Sequence, residues 1–353
     1  MHRRRVLSAM LGLPAALASG FGVGVTDTGA PNPRRLVALG PGALRFVVYL
    51  DAVEDLCAIE EIERRSPDGR AYAFRSGEAT AHLPVIGPGG AGRLPDLEAL
   101  VGVGADLAIS VTLDEQQRRM LRERVGVPVL ALDYGATGLL DPAVFGASLR
   151  RLGEALGRDA RAEALIGAMD ASVAELAQRV GDRTPVAAYL GGVSLKGQQG
   201  LTSTQAGHPT LAWAGTENLA DRTGRSGHLF LDLEQILAWD PPALFIDAAG
   251  VPAVLTEQAT NPGAFRALRA VREGRVYATL PYNAYNTNVE HALINAWFIA
   301  GILTPEAFSD VEPRAKADEL YRLFLRRPLY EELARSGLGF AHVDVLNGGV
   351  RAW

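Results

Sequence analysis

The feature that most constrains the fold is an almost uninterrupted helical pattern from Asp141 to Val180. Apolar residues recur there every three or four positions, with a pause at Gly157. Asp141 followed by Pro142 is typical of a helix start, and Gly181 favours the end. We therefore expect one long amphipathic helix, or two nearly collinear ones, of roughly 50–60 Å. Such a length suits a connection between two lobes, and we assign residues 141–181 to it.

Short apolar runs alternate with helical patterns on both sides of this segment. This alternation predicts βαβ units and mostly parallel sheets. We predict an α/β protein with two Rossmann-like lobes, 34–140 and 182–353, and a ligand cleft between them. The predicted strands lie at 36–39, 56–59, 105–111, 127–133, 185–192, 243–248 and 275–279.

The two lobes share a local pattern that places one carboxylate in each at matching positions. LPDLEALVGVGADLAI in the first lobe and LDLEQILAWDPPALFI in the second both put a Leu-Glu pair near a helix start, before a strand. The acidic residues are Glu98 and Glu234. Carboxylates there gain from the helix dipole, and they can equally pair with arginines of a partner protein.

The N-terminus predicts an export signal at residues 1–18. Arg3–Arg5 precede a short apolar stretch with small residues at Ala16 and Ala18, after which we expect cleavage. The arginine pair before an apolar residue and leucine is similar to a twin-arginine signal. The apolar stretch is too short to span a bilayer comfortably, and residues 19–33 are expected to form a linker. The prediction is a soluble periplasmic protein.

Composition and motifs exclude several function classes. The net charge of −5 gives no basic footprint for nucleic acid. Cys57 is the only cysteine, so the sequence allows no internal disulfide, no cysteine-based metal site and no lipid-bearing N-terminal cysteine. Residues 87–92 satisfy G-x-G-x-x-G, but Arg93-Leu94-Pro95 separates them from a helix, so we interpret them as a turn lining the cleft. The histidines lack paired spacing, although His208 lies in a loop that can face the cleft, and no catalytic motif or cofactor site is found.

The segment Leu280–Asn288, LPYNAYNTN, is the most typical of a ligand site. It follows a predicted strand and precedes an apolar helical pattern that begins at Val289. Its two tyrosines and three asparagines combine flat apolar faces with hydrogen-bonding groups. Open α/β sheets bind ligands beyond the carboxyl ends of their strands. The alternative is a purely structural turn whose tyrosines cap the core.

A set of segments from Arg34 to Gly337 carries a family resemblance. In order they are RRLVALGPGALRFVVYL, LPVIGPGGAGRLPDLEALVGVGADLAI, the 141–181 helix, GGVSLKGQQGLTSTQ, ENLADRTGRSGHLFLDLEQILAWDPPALFID and NPGAFRALRAVREGRVYATLPYNAYNTN. They resemble the extracytoplasmic solute-binding proteins of ABC importers for iron complexes, siderophores, haem and cobalamin. The resemblance implies two α/β lobes joined by one rigid helix, ligand capture in the cleft and small hinge motion. It also implies that Glu98 and Glu234 meet arginines of a membrane permease, which works with its ATPase. We expect a monomer.

The first ligand hypothesis is a ferric chelate of the siderophore type. Phenol oxygens and aromatic faces suit Fe(III) and a catecholate or hydroxamate shell, basic side chains neutralise an anionic chelate, and amides orient it. The predicted ligand-binding residues are Tyr134, Tyr189, Tyr282 and Tyr285, then Arg45 and Lys196, then Asn283 and Asn288, with Thr204 on the polar segment 191–207. The alternatives are cobalamin, haem or a nickel or cobalt chelate on the same scaffold, or an enzyme on a nitrogenase-like or chelatase-like two-lobed fold.

Overall fold

A computed structural model describes residues 34–65, 67, 69–136 and 139–353 of the chain. The predicted export signal at 1–18 and the linker at 19–33 lie outside the described residues. Within the described part, no helix is both long and apolar enough to cross a membrane.

The first lobe is a parallel sheet flanked by helices. Its elements are β1 (Leu36–Leu39), α1 (Ala43–Tyr49), β2 (Leu56–Ala58), α2 (Ala73–Thr80), α3 (Leu97–Val103), β3 (Leu107–Ser110), α4 (Glu115–Val125) and β4 (Val129–Ala131). The four strands lie in the order β2-β1-β3-β4, and every neighbouring pair is parallel. The central strands β1 and β3 are buried throughout, as expected of a sheet covered by helices on both faces.

The second lobe contains a larger, mixed sheet. Its strands are β5 (Ala187–Gly191), β6 (Ser203–Ala206), β7 (Glu217–Asn218), β8 (Gly227–Phe230), β9 (Leu244–Asp247), β10 (Val276–Thr279), β11 (Ala341–Asp344) and β12 (Gly349–Ala352). Its helices are α7 (Pro209–Trp213), α8 (Leu233–Trp239), α9 (Val251–Thr260), α10 (Pro262–Ala267), α11 (Arg269–Arg272), α12 (Val289–Leu303), α13 (Pro313–Leu325) and α14 (Tyr330–Arg335). Six strands lie in the order β12-β11-β10-β9-β5-β7, and β6 pairs separately with β8. Strands β10, β9, β5 and β7 are parallel neighbours, whereas β11 and β12 join antiparallel. The predicted fold class, two α/β lobes with mostly parallel sheets, is confirmed.

The connecting segment differs from its prediction because it folds into two antiparallel helices. They are α5 (Pro142–Leu156) and α6 (Asp159–Val180). Arg150 Nε on α5 lies 2.6 Å from Glu163 Oε1 on α6, which a collinear pair would keep far apart. Gly157, at φ 63°, ends α5 in the left-handed conformation that reverses the chain. The expected collinear helix of roughly 50–60 Å is therefore wrong, and α6 alone spans about 33 Å.

Helix α6 contacts both lobes. Near its start, Arg158 Nη2 donates to Asp55 Oδ2 of the first lobe at 2.9 Å. Near its end, Arg179 Nη1 donates to Asp310 Oδ1 of the second lobe at 2.7 Å. The exact domain boundaries at 140/141 and 181/182 stay predictions.

One hydrophobic core runs through both lobes. It includes Leu36 and Phe46 of the first lobe and Phe245 and Trp297 of the second. Helix α12 is buried from Val289 to Ala300, and its sequence is mostly apolar, with Glu290, His291 and Asn295 as buried polar residues. Because the close-packed core is continuous, we expect only small movements of one lobe against the other.

Replacing Gly153 with leucine is expected to lower the free energy of unfolding by about 1–3 kcal/mol. A Cβ at this position of α5 would lie 2.9 Å from the Cβ of Ala162 on α6, so the two helices could not keep their spacing. Gly167→Leu on α6 is the matched control, because a Cβ there meets nothing within 4 Å and leucine raises helix propensity. Urea denaturation followed by far-UV circular dichroism measures both variants. Equal effects would contradict the close packing of the helices.

Candidate functional site

The segment Leu280–Asn288, which we call the interlobe loop, connects β10 to α12 as predicted. It closes on itself through a bridge between Asn283 and Thr287, whose hydroxyl donates to Asn283 Oδ1 at 3.1 Å. Tyr285 and Asn286 have φ values of 51° and 82°. Residues other than glycine rarely adopt this left-handed backbone conformation, and asparagine tolerates it better than tyrosine. The loop is therefore a compact turn whose conformation needs support from outside.

Arg45 of α1 supplies much of that support across the two lobes. Its Nη2 donates to Asn288 Oδ1 at 2.8 Å, to Ala284 O at 3.1 Å and to Asn286 O at 3.4 Å. The guanidinium carbon lies 4.7 Å from the centre of the Tyr72 ring, within range of a cation–π contact. Arg45 is fully buried. In this structure the arginine that we predicted to neutralise an anionic chelate holds the interlobe loop, and its role in ligand binding stays a prediction.

Tyr285 extends the same contact to the glycine-rich turn at 87–92. The backbone N–H of Gly90 donates to the Tyr285 hydroxyl at 2.8 Å, and that hydroxyl donates to Glu60 Oε2 at 3.3 Å. Glu60 Oε2 also accepts from the Gly40 N–H at 2.9 Å. The turn that we interpreted as lining the cleft thus meets the interlobe loop directly.

Asn288 and Asn283 fix the two ends of the loop. The buried Asn288 amide donates to Gly69 O of the first lobe and to Pro281 O within the loop, both at 2.9 Å. Asn283 Nδ2 donates to Ser194 O of its own lobe at 3.2 Å. The loop is therefore a strap between lobes, and a ligand entering here must exchange some of these contacts.

The remaining predicted ligand residues are dispersed. Tyr134 lies near Arg45 and donates its hydroxyl to Gly42 O at 2.9 Å. Thr204 and Tyr189 are buried and donate their hydroxyls to backbone carbonyls of the second lobe, at 2.7 and 2.8 Å. Lys196 is exposed. The structure thus brings Tyr134, Arg45 and the loop together and leaves the others outside that group, while their roles in ligand binding stay predictions.

A buried polar cluster lies beside the interlobe loop. We call it the neutral cluster, and it consists of Gln205 at the end of β6, His208 before α7, and Tyr282. Each of these side chains is 1% exposed, and the His208 and Tyr282 ring centres are 4.2 Å apart. By hydrogen-bond geometry, both imidazole nitrogens, both amide atoms of Gln205 and the Tyr282 hydroxyl lack a partner among the described residues, although Gln205, Thr287 and the Leu140 backbone lie close enough to that hydroxyl to lower its pKa. A buried polar group without a partner destabilises the fold by about 1–3 kcal/mol. A bound molecule that supplies hydrogen bonds to the cluster would recover that free energy.

The neutral cluster carries no charge at physiological pH. Burial lowers the pKa of His208 to about 3 and raises the pKa of Tyr282 to about 12. Within the described part of the chain, no group of three or more His, Cys, Asp and Glu side chains could hold a metal ion. Sequence reasoning singled out Tyr282 and noted His208, but it missed Gln205, because a polar residue in a glycine-rich segment gives no signal of burial.

Asp247, at the end of β9, positions Tyr282. Its Oδ2 accepts from the Tyr282 N–H at 2.7 Å and its Oδ1 from the Ala249 N–H at 3.0 Å. Asp247 is completely buried. Burial raises its pKa to about 7, and burial likewise raises the pKa of Glu60 to about 7.

From the raised pKa values of Asp247 and Glu60 we expect the free energy of unfolding to fall as the pH rises from about 4.5 to about 7. In that window the folded protein keeps protons on Asp247 and Glu60 that the unfolded chain has released. Protonation therefore stabilises the folded state at the acidic end, and this stabilisation is lost as the pH rises through the pKa of these groups in the folded protein. We expect Asp247→Asn to remove about 1–3 kcal/mol of the difference in unfolding free energy between pH 5 and pH 8. Asp344→Asn, at the exposed end of β11, is the control. Urea titrations across this range measure the effect, and a parallel pH profile for Asp247→Asn and the wild type would contradict it.

The two carboxylates predicted to dock a permease lie on short helices of opposite lobes. Glu98 is in the first turn of α3 and Glu234 in the first turn of α8. Both side chains are exposed. They are available to a partner protein, and their docking role stays a prediction.

Comparisons with known proteins identify similar folds. A family model described as periplasmic binding protein matches residues 36–282. The molybdate-binding protein MolA of Haemophilus influenzae, solved with molybdate, is 20% identical, with a TM-score of 0.67 over 85% of this chain and 95% of that one. CeuE of Helicobacter pylori, solved with Ni(II), is 17% identical, with a TM-score of 0.59 over 84% and 91%. A periplasmic haem-binding protein of Pseudomonas aeruginosa is 22% identical, with a TM-score of 0.54 over 77% and 93%. No curated protein matches the sequence.

Proposed function

The chain belongs to the periplasmic binding protein family, and from this premise we propose that it is the substrate-binding component of an ABC importer for an iron(III) complex. It is exported, captures a siderophore-type chelate between its lobes and delivers it to an inner-membrane permease driven by an ATPase. Glu98 and Glu234, exposed on opposite lobes, dock on the permease.

The observation that carries the ligand class is the neutral cluster of Gln205, His208 and Tyr282 beside the interlobe loop. A phenol oxygen is a hard donor that suits Fe(III), and the amide offers both a donor and an acceptor to a chelator. The buried cation that contacts the same loop, Arg45, is already engaged by loop acceptors. This arrangement favours a chelate, whose charge is largely cancelled by its metal, over a bare oxyanion such as the molybdate bound by MolA.

The interlobe loop supports a capture mechanism with little lobe movement. Arg45, Tyr285 and Asn288 tie the loop to the first lobe, and the core is continuous through α12. Ligand binding therefore exchanges loop contacts for ligand contacts. It leaves the relative position of the two sheets almost unchanged.

Haem, cobalamin or a nickel or cobalt chelate is the second candidate. The neutral imidazole of His208 favours it, since uncharged histidine is a common ligand of haem iron and of nickel. Against a large corrinoid or porphyrin, Trp297 is buried in the core and the interlobe loop has no tryptophan to stack on it. The first candidate therefore fits better.

Titration of intrinsic fluorescence with a panel of ligands tests the proposal. We expect quenching by at least one ferric catecholate or ferric hydroxamate complex, and weaker or no quenching by cobalamin and haemin. Recovery of the bound complex unchanged after incubation separates a binding protein from an enzyme. Preference for cobalamin or haemin would support the second candidate, and no binding across the panel would end the proposal.

A further inference from the structure

Two exposed apolar side chains lie close in sequence to the exposed glutamates of the two lobes. Among the described residues, the exposed large apolar side chains are Val101, Phe230, Val350 and Trp353. Val101 is 58% exposed and follows Glu98 by three residues on α3, a spacing that places both on one face of the helix. Phe230 is 54% exposed and precedes Glu234 by four residues. A single exposed apolar residue is ordinary on a protein surface, but here the same pairing with a glutamate recurs in both lobes.

A second carboxylate accompanies each of these pairs. Asp96 and Asp232, two residues before the glutamates, are exposed as well. Each lobe therefore presents one apolar side chain with two negative charges near it. The complementary surface is an apolar recess with arginine or lysine at its rim, because apolar contact is favourable and carboxylates that lose water need a basic partner. One such patch on each lobe fits one partner that contacts both lobes at once.

The ring of Phe230 is held in place although it is exposed. It lies at the end of β8, and its centre is 4.9 Å from that of the His228 ring, with the planes inclined by 69°. His228 Nε2 lies 2.8 Å from Ser203 Oγ, and the Ser203 hydroxyl donates to Val193 O at 2.6 Å. Because Ser203 uses its proton on Val193 O, the imidazole N–H donates to Ser203 Oγ. A ring that is already ordered loses little conformational entropy when it binds a partner.

Resting on the proposed function, we propose that Phe230 and Val101 are apolar anchors that hold the protein on the extracytoplasmic face of its ABC permease. Phe230 is the stronger anchor, since a phenylalanine ring buries more apolar area than a valine side chain. The permease surface that receives it is an apolar recess with basic side chains around it. The carboxylates near each anchor attract this surface as the two proteins approach, and the anchors then decide how long the complex lasts.

This division of roles follows from the physics of the two kinds of side chain. Exposed charges act over several ångströms before contact, so they change the association rate and are weakened by salt. An apolar side chain acts only once water has left the interface, so its loss accelerates dissociation. The anchors and the glutamates are therefore distinguishable by kinetics, even though they lie within four residues of each other in sequence.

Surface plasmon resonance tests the proposal on the permease–ATPase complex that imports the ligand of this protein, held in lipid nanodiscs. We expect Phe230→Ser to dissociate more than about tenfold faster than the wild type, and Val101→Ser about threefold faster, with association rates within about twofold. Glu234→Gln should instead slow association at low salt, and this difference should shrink at high salt. His228→Ala, which frees the Phe230 ring, should accelerate dissociation by less than Phe230→Ser.

Matched controls are Val350→Ser on β12, where the side chain is 52% exposed, and Glu154→Gln at an exposed position of α5. Both should keep wild-type kinetics. Thermal denaturation should give an unchanged Tm for Phe230→Ser, because the residue is exposed. Wild-type dissociation rates for Phe230→Ser and Val101→Ser would overturn the anchors, and so would losses confined to association, while binding of the wild type would leave the proposed transport function standing. A wild-type protein that does not bind the permease would overturn both.

Discussion

Replacing Arg45 with alanine is expected to lower the free energy of unfolding by about 3–5 kcal/mol. The change leaves Asn288 Oδ1, Ala284 O and Asn286 O without the charged donor that they share. It also removes a buried positive charge that interacts electrostatically with the buried side chain of Glu290. Loss of the guanidinium from the Tyr72 ring adds a smaller cost.

Equilibrium urea denaturation monitored by tryptophan fluorescence measures this effect. Arg119→Ala, at an exposed position of α4, is the control and should change stability by less than about 0.5 kcal/mol. The loss of unfolding free energy for Arg45→Lys should lie between those of Arg45→Ala and Arg119→Ala. An ammonium keeps the charge but cannot donate to several loop acceptors in one plane. A loss below about 1 kcal/mol for Arg45→Ala would show that the loop is not held from α1.

Elements whose signals are local could be predicted from the sequence. The sequence EQQRRMLRERV at 115–125 predicts a helix, and α4 occupies those residues. Asp114 and Gln117 form a capping box at its start, and Gly126 at φ 76° ends it. The predicted strands correspond to β1–β5, β9 and β10, and all but β1 are shorter than predicted, since apolar residues continue beyond the last ladder hydrogen bond. The short strands β6, β7, β8, β11 and β12 were not predicted.

The helical hairpin of α5 and α6 could not be read from periodicity. Spacings of three and four residues report which face of a helix is apolar, and they do not report whether the chain reverses between two helices. The signal was present at Gly157, where the pattern pauses. The cause is non-local: Gly153 allows Ala162 to approach, and only the folded structure brings those two residues together.

The candidate site was predicted as a segment but not as a set of contacts. The composition of Leu280–Asn288 predicted a polar loop after a strand, and that is where it lies. Its partners Arg45, Glu60 and Gly69 come from the other lobe, about 200 residues away in sequence, and sequence pattern gives no pairing at such distance. The sequence therefore gives no sign that Arg45 donates to the loop, and its predicted ligand role stays untested.

Replacing Asn288 with leucine is expected to destabilise the protein by about 3–5 kcal/mol. Leucine has a similar shape, but it removes the acceptor of Arg45 Nη2 and the donor to Gly69 O and Pro281 O. All of these contacts are buried, so water cannot replace the hydrogen bonds of the amide. Asn261→Leu, at an exposed helix boundary, is the control and should cost less than about 1 kcal/mol.

Asn288→Asp separates the two halves of the amide. The carboxylate keeps the bond to Arg45 and adds an opposite charge, but it places oxygen against the carbonyls of Gly69 and Pro281, so we expect a loss smaller than that of leucine. The double variant Arg45→Ala/Asn288→Leu should be more stable than the sum of the single losses predicts, by about 1–3 kcal/mol, because each single change already breaks the shared contact. Strictly additive losses in urea denaturation would mean that Arg45 and Asn288 act independently. The loop would then be held to the first lobe chiefly through Tyr285 and Asn286, whose partners there are Gly90, Glu60 and Pro41.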